Sequence, residues 1–296
     1  MMRELIRAAL PYSAALVFVG CGSDKITPAS SGFDGQIDIR YVASDNPAEV
    51  RSAVRFAVDK WTRAPHKNLG DFHLQASAGQ CFPREPQLNE IHHNLLVFVL
   101  VARADGANGL LAGTQVCQLS DRDYLPVVSV ILVDLEDVAS MRENGTLQQV
   151  MLHEMGHALG FNPKTYLPKQ LGRGDPRDPV FIGNAAKSEF ATHVAWYGGE
   201  PVPLEKALGI GPQDPHWRYS VFGDELMVPV LFPGFKSPLS TVTLGLFEDL
   251  GYTVDYSVAD PYEAAPPSGA MQRLPQVSLK NDFEQRPAPK LVTPID

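Results

Sequence analysis

"TLQQVMLHEMGHALGF" (146–161) carries two patterns at once. Val150, Met151, Leu152, Met155, Ala158 and Leu159 wrap most of a helix in apolar side chains, so the helix is expected to be buried. Inside it, His153 and His157 stand four residues apart and share one face, with Glu154 about 100° around from His153. Two imidazoles and a carboxylate are costly to bury without a partner. The spacing predicts that both rings bind one ion and that Glu154 sits beside it, the HExxH arrangement with the glutamate as general base. Thr146 and Gln149 predict a capping box at the start of the helix. Gly160 permits the left-handed backbone that ends the helix and turns the chain. Where many such sites place a third histidine stands Pro163, which has no donor to offer a metal.

Working outward, "QIDIRYV" (36–42) alternates like a strand, with Ile37, Ile39 and Tyr41 on one face. "NPAEVRSAVRFAVDKWTRA" (46–64) repeats Val50, Val54, Ala57 and Trp61 at helical spacing, with Pro47 in the first turn. "HNLLVFVLVA" (93–102) and "PVVSVILVDL" (126–135) read as strands buried on both faces, and the Gly-broken "LAGTQVCQL" (111–119) as an edge strand. Strand, helix, three strands, helix makes an α+β domain: a mixed sheet with two long helices. Further helices are expected at 184–198 and 239–251, the latter capped by Ser240 or Thr241. From 263 to 296 the chain is Pro-rich and aperiodic, and a disordered tail is expected.

The bulk numbers set limits. In 296 residues, 44% are hydrophobic and 20% charged, enough for a packed core. The formal net charge is −9 with no Lys/Arg-dense stretch, which argues against nucleic acid and against a polybasic membrane surface. At the N-terminus, Arg3 and Arg7 precede an apolar run from Ala8 to Gly20, short of the roughly 20 residues that span a bilayer. Residues 1–21 read as an export signal, and Phe18-Val19-Gly20-Cys21 resembles a bacterial lipobox. Cys21 is then the lipidation candidate, residues 22–34 a tether, and the location the bacterial cell envelope or cell surface, otherwise secretion. Cys81 and Cys117 remain as a disulfide pair for an oxidising compartment; the alternative is two buried free thiols.

Beyond the helix, the histidines are His193, inside the expected helix 184–198, and His216, in the irregular "QDPHWRYSVFGDELMVP". Met227 closes that stretch, and a methionine turn under three histidines marks the metzincins. On HExxHxxGF (His153, Glu154, His157, Gly160, Phe161), on His216-Trp217 and on Glu225-Leu226-Met227 with Pro229, the chain resembles the leishmanolysin-type metallopeptidases, a metzincin family. "NLLVFVLVARADG", "AGTQVCQ", "PVPLE" and "STVTLGLFEDLGYTVDYSVADPY" support the resemblance, which covers roughly 35–262.

The resemblance implies a catalytic domain over 35–262, with a mostly parallel sheet, an antiparallel edge strand and an irregular C-terminal subdomain. It implies one catalytic Zn2+ on His153, His157 and His216, the last delivered after an insertion at 162–215. Glu154 is then the general base toward a metal-activated water, with Gly160 and Met227 supporting the site. The expected activity is zinc-dependent endopeptidase action on proteins or peptides. The protein is expected as a monomer that meets a membrane only through a lipid anchor. Departures are the absence of a Cys-rich C-terminal part, of a latency cysteine between Cys21 and the first strand, and of a tyrosine two residues after Met227, where Pro229 stands. Two other readings stand beside this one. One is a thermolysin-like third ligand at Glu189 or Glu200; the other is a non-catalytic, zinc-braced surface lipoprotein that binds peptides or an envelope partner. The acidic "DLEDV" (134–138) is a calcium candidate whose default is a solvated loop, and Asn144-Gly145-Thr146 is read as a turn rather than a glycosylation site.

Overall fold

The computed structural model describes residues 36–42, 46–193, 201–206, 215–264, 277–279 and 288–295. Cys21, Glu200, the signal and the tether lie outside them. Strand β1 (Ile37–Tyr41) leads to α1 (Ala48–Trp61), β2 (Asp71–Ala76), β3 (Leu88–His93), β4 (Leu95–Ala102), β5 (Ala112–Ser120) and β6 (Pro126–Asp134). The helices α2 (Leu147–Leu159), α3 (Asn184–His193) and α4 (Thr241–Leu250) follow, and then the short strands β7 (Lys290–Val292) and β8 (Pro294–Ile295). The main sheet runs β1-β4-β6-β5-β7. β1, β4 and β6 are mutually parallel, β5 is antiparallel to β6, and β7 is parallel to β5. The fold is thus mixed α+β with a mostly parallel sheet.

The burial follows the sequence pattern. β4 and β6 form the middle of the sheet because their Val, Ile, Leu and Phe side chains are apolar on both faces. Helix α1 buries Val50, Val54, Ala57 and Trp61 as its spacing predicts. Trp61 reaches across to α2, its indole N–H donating to the Leu152 carbonyl at 2.8 Å. On the sheet side, the Ser129 hydroxyl donates to the Ala158 carbonyl at 3.1 Å and the Thr114 hydroxyl to the Glu154 carbonyl at 2.9 Å. Helix α2 is therefore clamped between α1 and the sheet.

Four details differ from the sequence reading. The capping box does not form: Thr146 has helical backbone angles, and its hydroxyl donates to Asn144 Oδ1. The Gln149 side chain instead accepts from the Ser237 N–H at 3.2 Å. Pro47 precedes α1 rather than lying in its first turn. β2 and β3 form an antiparallel pair that the reading missed, although Phe72 and Leu74 alternate inward between exposed Asp71, His73 and Gln75. Finally, 263–296 is not an unstructured tail throughout. Val277-Ser278 pair with Val230-Leu231, β7 pairs with β5, and β8 pairs with β2. Each segment is too short to show periodicity, and its order comes from docking on a strand edge far away in sequence. β5 is consequently an edge only as far as Cys117.

Cys81 and Cys117 are disulfide-bonded, with a Cα–Cα distance of 5.7 Å and a separation of 36 residues. The β5–β6 register skips Cys117, a bulge that frees this residue from the ladder. Replacing both cysteines by alanine is expected to lower stability by about 3–4 kcal/mol, through the loop entropy returned to the unfolded chain. Urea denaturation checks this, and an unchanged midpoint would contradict it.

Candidate metal centre

His153, His157 and His216 converge in the interior, with one ligand atom of each within 4.8 Å of the others. Helix α2 sets the first two, because residues four apart lie one turn above each other. The Nδ1 of His153 donates to the Leu226 carbonyl at 2.7 Å, and that of His157 to the Phe161 carbonyl at 2.8 Å. With those protons committed, the two Nε2 atoms carry lone pairs and face each other at 2.9 Å. Two lone pairs that close repel unless a cation lies between them, so the donor set fits a divalent metal held by neutral imidazoles. Burial, then His157 and His216 nearby, pushes His153 well below the usual imidazole range. Burial, then His216, pushes His157 down to about 3. Both rings are therefore neutral and ready to ligate at neutral pH.

Each accepting carbonyl is made by a turn. Gly160 takes φ 125°, which a side chain would resist, and its N–H caps the helix. Phe161 then folds back, its N–H donating to the Gly156 carbonyl at 3.0 Å and its own carbonyl receiving His157. Pro163 begins a short helix, Pro163–Tyr166, capped by Asn162, so the chain leaves the centre at the point where a third histidine is absent.

His216 arrives on an extended stretch pinned on both sides. Its carbonyl accepts from the Glu205 N–H at 2.9 Å, Leu204 bridges Trp217, and the Trp217 N–H donates to the Met227 carbonyl at 3.0 Å. The Trp217 ring stacks on Phe222 at 5.3 Å and meets Phe161 edge-on at 4.8 Å. Its indole N–H donates to the Thr243 hydroxyl at 2.8 Å. Trp217 thus acts as the anchor that fixes the histidine beside it.

The turn 224–228 hangs on Glu225, whose side chain is fully buried. Its carboxylate accepts from the Met227 N–H, the Ser240 N–H and hydroxyl, and the Thr243 hydroxyl. Burial pushes this carboxyl up to about 7, while the four donors pull it back. The turn it ties to α4 supplies the Leu226 carbonyl that orients His153. It also presents Met227, whose sulfur packs against Gly156: a β-carbon added there would stand 2.8 Å from Sδ.

Glu154 lies next to this cluster and is 1% exposed. Its Oε2, at 2.7 Å, shares the single Thr114 hydroxyl proton with the Glu154 carbonyl at 2.9 Å. Burial pushes its carboxyl up to about 7, against the hydrogen bond from Thr114 and the nearby His216.

The sequence profile of leishmanolysin peptidases matches residues 91–269 of this chain. The chain belongs to the leishmanolysin family. Leishmanolysin of Leishmania chagasi is 30% identical over 168 residues, 54% of this chain and 27% of its own. Leishmanolysin of Leishmania major is 29% identical over 184 residues, 60% of this chain and 30% of its own. The ciliated left-right organizer metallopeptidase of Mus musculus is 26% identical over 191 residues, 56% of this chain and 27% of its own. The chain thus spans less than a third of the length of these curated relatives.

Within this leishmanolysin-family site, the sequence reading missed four contributors: Thr114, Gly156, Glu205 and Thr243. Only Gly156 left a signal, as a helix-breaking residue in mid-helix. The other candidates stay apart from the cluster. His193 pairs with Glu189 at 3.9 Å on α3. His92 and His93 lie in β3, His93 bonded to Asp71. Asp134 and Asp137 accept from backbone N–H groups of the 105–108 loop, Asp134 also from Glu136. Asn144 Oδ1 accepts from the Thr146 N–H, with Gly145 at φ 77° between them.

Two substitutions test this framework. Gly156→Ala pushes against the fully buried Met227 and Trp61, and is expected to cost roughly 1–3 kcal/mol of stability. Glu225→Gln sets an amide N–H against donors and is expected to cost a similar amount, roughly 1–3 kcal/mol. Thermal denaturation measures both, and competition titration should show weaker zinc binding in each. Zinc affinity equal to the unaltered chain would show that the turn does not orient His153.

Proposed function

We propose that this chain is a zinc-dependent endopeptidase that uses His153, His157 and His216 as metal ligands and Glu154 as general base. The observation that carries the proposal is the pair of Nδ1–H bonds to the Leu226 and Phe161 carbonyls, which aim the remaining imidazole nitrogens at one point. Zinc bound there would supply a Lewis acid that acidifies water and polarises a carbonyl. Glu154 takes the proton of the attacking water and passes it to the departing amine nitrogen. Burial favours the protonated form of this carboxyl, so it can take up the proton, and the Thr114 hydroxyl holds one of its oxygens in place. The substrate backbone lies extended along β5, added as a strand next to Thr114. Such pairing reads main-chain groups and so predicts modest sequence selectivity.

Three converging side chains among the described residues, rather than four, favour this reading over a structural zinc brace, whose sites are closed by four protein ligands. Glu189 lies on α3, outside the group formed by His153, His157 and His216, which speaks against it as third ligand. From the N-terminal sequence we further propose export and lipid attachment at Cys21, with proteins or peptides as substrates.

The test is cleavage of casein by the zinc-loaded chain with and without a chelator. Glu154→Ala is expected to keep zinc and lose about 10²–10⁴-fold in rate. His216→Ala is expected to lose the metal itself. Retained zinc and activity in His216→Ala, or unchanged activity in Glu154→Ala, would remove the proposal.

A further inference from the structure

The strand beside the histidine cluster is shared. On one side β5 pairs with β6 along nearly its whole length; on the other, β7 pairs in parallel with Gln118, Leu119 and Ser120. The added strand is fastened at both ends. The Asp121 N–H donates to the Val292 carbonyl at 2.9 Å, and the Thr293 hydroxyl to the Asp121 carboxylate. The Lys290 ammonium reaches the Gln75 carbonyl at 2.9 Å, and β8 continues as the partner of β2. Val292 is buried. Among the described residues, no strand pairs with this same side of β5 from Ala112 to Val116.

The outward N–H and C=O groups of a strand edge can be paired by one neighbour only. A peptide added to β5 near Thr114, where Glu154 is held, can follow the strand toward its C-terminal end only until it meets Lys290 opposite Gln118. β5 offers four positions, Thr114 to Cys117, before the one that Lys290 occupies at Gln118, a step of about 13 Å at the usual rise of a strand.

We propose that the segment 288–295 closes one end of the substrate-binding edge of β5, so that about four substrate residues align on that side of the scissile bond. The inference rests on the peptidase reading above and adds a length limit on one side. Toward Ala112, the described strands set no such limit. The segment acts by occupying backbone groups, not by touching the reacting atoms.

The test uses two peptide series with a common cleavable core, lengthened one residue at a time on the amino side or the carboxyl side. They are assayed on the zinc-loaded full chain and on Val292→Asp, which undocks the strand by burying a charge. With the unaltered chain, kcat/KM is expected to rise with length and level off at about the fourth residue on one side only. In Val292→Asp the plateau should move outward, raising kcat/KM several-fold for the longer peptides and leaving the core peptide unchanged. Hydrogen exchange supplies a readout that needs no cleavage: the Asp121 amide, which donates to the Val292 carbonyl, should be protected in the unaltered chain and exposed in the variant. The proposal is overturned if the plateau stays put once that amide exchanges freely, or if the unaltered chain shows none on either side. Should Val292→Asp fail to fold, the length series on the unaltered chain decides alone. A chain that cleaves neither core nor longer peptides overturns the peptidase reading, and this inference with it, whereas a protected Asp121 amide would still show the segment in place.

Discussion

The two hydrogen bonds from imidazole Nδ1 atoms to main-chain carbonyls are the constraint on which the rest depends. Each fixes a tautomer, and a fixed tautomer decides where the lone pair of the other nitrogen points. The Phe161 carbonyl faces His157 because the backbone turns through Gly160. The Leu226 carbonyl faces His153 because Glu225 ties its turn to the first turn of α4. A side-chain chemistry is thus set by two backbone turns, one local to the helix and one more than sixty residues away.

The frame and the delivered histidine divide the work. Helix α2 cannot shift, held by Trp61 on one flank and by Thr114 and Ser129 of the sheet on the other. His216 is not on that frame; it comes on a stretch whose hydrogen bonds run to Glu205 on one side and Met227 on the other. The aromatic group of Phe161, Phe181, Trp217 and Phe222 joins both parts in one apolar interior. Met227 closes the contact against Gly156, where hydrogen is the only side chain that leaves room for its sulfur.

Much of this was legible in the sequence wherever the information is local. The helix 146–161, the turn at Gly160 and the central strands follow from periodicity and from glycine, within two or three residues of their observed ends. The link from His157 to His216 was readable only through family resemblance, since nothing in the spacing of the intervening residues says where the chain returns. The capping box failed because Thr146 is already helical and its hydroxyl has a nearer acceptor in Asn144. The strands after 276 were illegible for a similar reason: two or three residues carry no period, and their partners, 230–231, β5 and β2, lie far away in sequence. Thr114 and Thr243 look like ordinary polar residues until the fold places a buried carboxylate next to each.

The central claim is that three neutral imidazoles and no fourth protein ligand hold the ion. X-ray absorption at the zinc edge of the loaded full chain tests it most directly. The account predicts three nitrogen scatterers with imidazole outer-shell features at about 2.0–2.1 Å and one further light atom from solvent. A first shell with two imidazoles, or one completed by sulfur or a fourth side chain, would contradict it.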